Sequence, residues 1–160
     1  MNRRSFLAGA LALAAVPAAA EPAFKRLTPL LVDLPGFSGA KPNGGTLQSG
    51  EGDVIRASRK YSKDAASLVV SVMVGWMTAG ALMSIEAGPH VETAEEHTTS
   101  GDIDGFRTVK SYKTAEKSGA LLVALGKRSL LTVNYRGLAE DEAVALARKL
   151  DWKALAEAAQ

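Results

Sequence analysis

The 160-residue chain is 47% apolar, carries a formal charge of +2, and has two histidines and no cysteine. The missing cysteine excludes disulfides, iron–sulfur clusters, c-type haem attachment, thiol chemistry and acylation at a lipoprotein cysteine, so the fold has to stand on packing alone. Arg3 and Arg4 account for the net charge: residues 21–160 hold 17 basic against 17 acidic side chains, and a neutral surface offers no broad field for nucleic acid or anionic lipid.

Residues 1–20 read as a cleavable export signal. Arg3 and Arg4 form its charged start, Phe6 to Val16 its apolar stretch, and Ala18-Ala19-Ala20 the small residues a peptidase needs, with cleavage after Ala20. The apolar stretch falls short of the roughly 20 residues a spanning helix requires, so no stable membrane anchor is expected after cleavage. Arg3-Arg4-Ser5-Phe6-Leu7 resembles the twin-arginine translocation motif, from which the sequence departs at Asn2 and Ala8. The alternative is a Sec signal whose basic residues happen to be adjacent. Both routes lead to the periplasm, and the twin-arginine reading makes the translocase a transient partner.

Residues 21–52, with Pro29, Pro35, Pro42 and a series of glycines from Gly36 to Gly52, read as an irregular lead-in with at most one short turn of helix. Within them Gly36-Phe37-Ser38-Gly39-Ala40 lacks the last glycine and the strand-to-helix context of a serine nucleophile elbow. Val54 to Tyr61 alternates between an apolar and a polar side and predicts a strand. The basic group Arg56, Arg59, Lys60, Lys63 reads as a solvated edge. After a turn at Lys63-Asp64, Ser67 to Val74 has the β-branched density of a central strand.

Trp76 to Ala87 changes to a helical period, with Trp76, Ala79, Gly80, Met83 and Ala87 on one stripe and Gly88-Pro89 ending it. Ala65 to Ile85 carries no charge and is long enough to cross a bilayer, but its alternating first half and its glycines favour strand-then-helix. Met77, Ala81, Leu82 and Ile85 lie off the stripe, which leaves the helix apolar nearly all round. Either the glycine-rich lead-in buries it, the simpler reading, or it lines an apolar groove formed by Trp76, Met77 and Met83.

Pro89 to His97, "PHVETAEEH", gathers both histidines with Glu92, Glu95 and Glu96. This is the one stretch with the ligand chemistry of zinc or copper. Strand parity places His90, Glu92 and Glu96 on one side and Glu95 and His97 on the other, which favours a solvated loop and a charged edge strand. Thr93 to Thr99, Phe106 to Lys113, Ala120 to Leu125 and Leu130 to Tyr135, joined at Asp104-Gly105, Lys117-Ser118-Gly119 and Gly126-Lys127-Arg128, predict a four-strand meander. The last helix opens with Glu140, Asp141 and Glu142, closes near Arg148 and Lys149, and presents Ala143, Leu146, Ala147, Leu150 and Ala154 to the sheet. Asp151 is placed to cap a second helical run through Trp152 and Leu155.

The expected fold is α+β: an antiparallel sheet of about six strands over residues 53–160, one helix after the second strand, and a C-terminal helix packed on the sheet. This order, with Leu34-Pro35-Gly36-Phe37 and the strand entry "YSKDAASLVVSV", resembles the PsbP/Mog1/LpqN type of domain. The "KLDWKAL" ending is similar to exported proteins of Gram-negative bacteria that finish in such a helix. The resemblance implies a non-catalytic binding or assembly role and transfers no active-site residue. No cofactor motif and no nucleophile–base pair is visible. The expectation is therefore a periplasmic binding domain without catalytic activity, taking a protein partner or an apolar small ligand. The alternative is a zinc- or copper-binding protein using His90, Glu92, Glu95, Glu96 and His97.

Overall fold

Alternation dominates the computed structural model, which describes residues 21–160. Helix α1 (Ala23–Leu27) runs into a 3₁₀ turn at Thr28–Leu30, and strands β1 (Ser38–Gly39) and β2 (Asn43–Leu47) follow. The long strands β3 (Val54–Lys63) and β4 (Ala66–Val74) lead through a 3₁₀ turn at Trp76–Thr78 into α2 (Ala79–Ala87). Then come β5 (Val91–Glu92), β6 (Glu96–Ile103), β7 (Phe106–Lys113), β8 (Ser118–Gly126) and β9 (Ser129–Arg136), and finally α3 (Glu140–Ala147) and α4 (Trp152–Ala158). All pairings are antiparallel, in the order β1-β3-β4-β9-β8-β7-β6-β5, with β2 also on β3.

This corrects the expected architecture. Among the described residues the sheet has nine strands rather than about six, there are four short helices, and the helix beside the tryptophan follows the fourth strand rather than the second. The residues read as an irregular lead-in supply α1, β1 and β2. Their glycines obscured the strand signal, because a strand lying on the edge of β3 needs backbone pairing and little side-chain packing. Leu27, Leu31 and Leu34 bury themselves in the main core, so the lead-in is structural.

Two-residue turns set the registers. Asp104 and Gly105 both adopt positive φ, 51° and 83°, between the paired Ile103 and Phe106, the backbone a type I′ hairpin requires. Asp64 does the same at 51° in the β3–β4 turn, which falls at Asp64-Ala65 rather than Lys63-Asp64. With those registers fixed, Ala57 and Tyr61, Leu68, Val70 and Val72, Leu131 and Val133, and Leu121 and Val123 share one face and are buried beneath α1, α3 and α4. The opposite face is covered in part by α2, through Leu82 and Ile85 on Val109 and Leu130.

The buried stripe of α2 is thus the pair expected off the stripe, Leu82 and Ile85, while Met83 is 70% exposed. The sequence offered too little contrast to choose, since small and apolar residues surround this helix on all sides. The lead-in does not bury α2. It touches the turn before α2 instead, where Ser49 Oγ accepts from Trp76 Nε1 at 3.2 Å. No helix among the described residues is long and apolar enough to cross a membrane. The signal residues Arg3, Arg4, Phe6 and Leu7 and the cleavage position after Ala20 lie outside the described residues.

Candidate functional site

The segment with metal-ligand chemistry is dispersed by the fold. Thr93 nucleates a turn: its hydroxyl accepts from the amides of Glu95 at 3.3 Å and Glu96 at 3.0 Å and donates to the Glu96 carbonyl at 3.0 Å. The chain reverses there, so Glu92 comes to lie directly opposite His97, against the parity expected for a single straight strand. His90 precedes β5 and is exposed, Glu95 sits in the turn, and Glu96 pairs in register with Lys113 on the other face. Among the described residues no group of three or more histidines and carboxylates is placed to hold a metal ion.

His97 belongs instead to a cluster that joins residues far apart in sequence. Strand parity brings His97 of β6, Lys110 and Tyr112 of β7 and Tyr135 of β9 to the face under α3, whose first residue is Glu140. The Glu140 carboxylate accepts from Lys110 Nζ at 2.8 Å and from His97 Nε2 at 2.9 Å, and its side chain is 14% exposed. Burial alone would raise the Glu140 pKa, but the hydrogen bonds and charges of Lys110 and His97 outweigh it and hold the carboxyl below its ordinary value. Tyr112 stacks on Tyr135 with ring centroids 6.3 Å apart and meets His97 at 5.7 Å. Tyr135 Oη is buried without a hydrogen-bond partner. Burial first, then the Glu140 carboxylate, pushes this phenol well above its usual range.

The carboxylate is shared between two donors and holds the imidazole, and among the described residues no hydroxyl is hydrogen-bonded to His97. What the arrangement does is fasten the start of α3 to β6 and β7. Sequence reasoning missed it because Lys110 and Glu140 gain meaning only from the packing of α3 across the sheet. The one signal available was the shared parity of Phe106, Thr108, Lys110 and Tyr112 along β7.

The expected groove of Trp76, Met77 and Met83 is only partly assembled. A trough of about 570 Å³ lies between β2 and the turn after β4, lined by Leu47, Val54, Met73 and Met77 with Gly45 and Arg56. Met77 belongs to it. Trp76 and Met83 are not in its wall: the Trp76 indole reaches Ser49, and Met83 projects from α2 into solvent. Leu47 and Met77 are 59% and 49% exposed. The trough contains no carboxylate and one cation, Arg56, which forms no ion pair among the described residues. Leu47 and Met73 were not read as groove residues, and Arg56 only as part of a solvated basic edge, because β2 looked irregular and nothing placed Leu47 beside β3.

Two other depressions differ in character. A cleft of about 850 Å³ at one end of the sheet, between α1, α4 and residues 51–53 and 126–128, sets Arg26, Lys127 and Arg128 beside Glu51 and Asp53. A shallower one of about 430 Å³ lies over Thr98, Ser111, Ala120 and Asn134, where α2 leaves the sheet uncovered. No family model, no curated protein and no solved structure matches the chain.

Proposed function

We infer that residues 21–160 form an exported, non-catalytic binding domain, and that the trough beside β2 is its apolar binding surface. The observation that carries this reading is the pair Leu47 and Met77, left half-exposed around a depression backed by Val54 and Met73. Fully burying an apolar side chain of this size is worth about 1.5–3 kcal/mol, so an occupant of the trough gains what the fold leaves unspent. Methionines suit such a role, since an unbranched thioether chain repacks around different shapes. The His97–Glu140–Lys110 cluster, taken up with fastening α3 to β6 and β7, fits this reading. Export, to the periplasm, rests on the signal read in residues 1–20.

The test uses the mature protein and an environment-sensitive apolar dye. Met77→Asp and Leu47→Asp, both at exposed positions, are expected to abolish most dye fluorescence while far-ultraviolet circular dichroism stays unchanged. Trp76 adjoins Met77 and is partly exposed, whereas Trp152 is buried with its Nε1 donating to the Ala147 carbonyl at 2.8 Å. A change in tryptophan emission on binding therefore reports from Trp76. Dye fluorescence that survives both substitutions sinks the assignment of the trough.

A further inference from the structure

The geometry points to β-strand addition: an extended peptide segment, apolar at alternate positions and carrying one acidic side chain, pairs with the open edge of β2 and lays its side chains into the trough. This rests on the reading of the trough as the binding surface, and it names the occupant. Three observations carry it.

The first is the edge itself. β2 pairs with β3 on one side and with no other strand among the described residues, so it presents a row of unpaired backbone donors and acceptors. Proteins ordinarily blunt such edges with charge, proline or brevity. The opposite edge of this sheet does so, with a two-residue β5 and with Glu96 and Asp102 on β6. Within β2, Asn43-Gly44-Gly45-Thr46-Leu47 carries no charge and no proline and is exposed throughout, although Pro42 directly precedes it and Phe24 of α1 lies against Gly44 on the face away from the trough.

The second is space. A Cβ built on Gly45 meets nothing within 4 Å, so the face of β2 toward the trough is open to a neighbour's side chain. Main-chain pairing gives a strand-adding ligand its affinity, and pockets for alternate side chains give it specificity. At about 3.4 Å per residue, β2 accommodates a partner of about five to seven residues.

The third is charge. Arg56, directly opposite Gly45 in the β2–β3 register, is the one charged group of the trough and lacks a carboxylate. An acidic side chain on the incoming strand supplies it. A second copy of this chain, adding its own β2, brings the same uncharged strand and the same cation, and so does not.

The probe is an acetylated, amidated heptapeptide of alternating valine and threonine with a central glutamate, compared with its central-lysine counterpart and with a version N-methylated at alternate residues. The glutamate peptide is expected to bind the mature protein and to slow hydrogen exchange of the amides of Asn43 to Leu47. The lysine peptide should bind about tenfold more weakly, the combined effect of a lost attraction and an added repulsion, and the N-methylated peptide should not bind. Arg56→Gln should bring the two charged peptides to within about twofold of each other, and Gly45→Glu, which supplies a carboxylate to Arg56 within the chain, should do the same by neutralising the trough.

Strand addition is overturned if the N-methylated peptide binds as tightly as its parent, if no peptide binds, or if β2 amides are already protected in a peptide-independent dimer. In each case the dye experiment with Met77→Asp decides the trough reading separately, so loss of one does not entail loss of the other.

Discussion

Single side chains decide several local outcomes. Arg59, read in sequence as part of a solvated basic edge, is 11% exposed. It donates to the carbonyls of Leu31 at 2.6 Å and Ala40 at 2.8 Å, pairs with Asp33, and lies over the Tyr61 ring. Its planar fork holds the lead-in against β3 in a way a lysine cannot reproduce. Gly119 shows the opposite dependence, on an absent side chain. A Cβ there meets the Ser111 carbonyl oxygen at 2.2 Å and Tyr135 Oη at 2.5 Å, so Gly119→Ala should cost more than about 2 kcal/mol in denaturant unfolding. Tyr135→Phe should be neutral or stabilising by up to about 1 kcal/mol, because it removes a buried hydroxyl that has no partner. It should rescue Gly119→Ala only partly, since the clash with the Ser111 backbone remains.

Glu140 gives the pH dependence its sign. Its carboxyl titrates lower in the folded chain than in the unfolded one, where a glutamate titrates near about 4.3. The unfolded state therefore binds the proton first as pH falls. The stability contributed by the Lys110–Glu140–His97 set is complete above that value and is lost as pH drops through the folded-state pKa. Glu140→Gln should be less stable than wild type at neutral pH, with the difference shrinking toward pH 3. Parallel urea-denaturation curves separated by the same amount at pH 7 and pH 3 would refute this account.

At the scale of elements, α4 is too short to persist without its ends and its packing. Asp151 caps it, accepting from the Ala154 amide at 2.9 Å, while Trp152 and Leu155 bury themselves in the main core. Asp151→Ala should cost about 1 kcal/mol, read as a lowered denaturation midpoint at unchanged slope. The β6–β7 hairpin is tied to the end of α3 as well, Arg148 donating from Nε and an Nη atom to the two oxygens of Asp104 at 2.8 Å each. The strand–turn–helix unit from β4 to α2 shows what local pattern can and cannot convey. Its division into strand and helix is legible from the change of period, but α2 turns Leu82 and Ile85 inward because Val109 and Leu130 wait on the sheet below, and no feature within the helix states that.

For the molecule as a whole, the central strand is completed last. β4 pairs with β3, its neighbour in sequence, and with β9, the final strand, so that Val70 faces Val133 and Val72 faces Leu131. The uncharged stretch Ala65 to Ile85 cannot bury its strand half until nearly all of the chain is available. A chain built this way suits a route that exports folded proteins, such as the one the proposed twin-arginine signal would serve. Replacing Arg3 and Arg4 together by lysine is expected to leave unprocessed precursor in the cytoplasm, seen by fractionation and immunoblotting. Mature protein continuing to reach the periplasm at wild-type levels would instead identify an ordinary Sec signal.

The sequence by itself determined the strands β3, β4, β7, β8 and β9, the Asp104-Gly105 turn, the Asp151 cap and the lack of any cysteine chemistry, because these depend on residue type and on periods of two or about 3.6 within short windows; the first meander strand, expected over Thr93 to Thr99, runs instead over Glu96–Ile103 after a turn at Thr93. Tertiary structure alone decided that glycine-rich residues 43–47 form an edge strand, which face of α2 is buried, that Arg59 is a clamp, and that His97 meets Glu140. Each of those depends on partners tens of residues away, and a backbone pairing or an ion pair across such a distance leaves no periodicity in the chain that makes it.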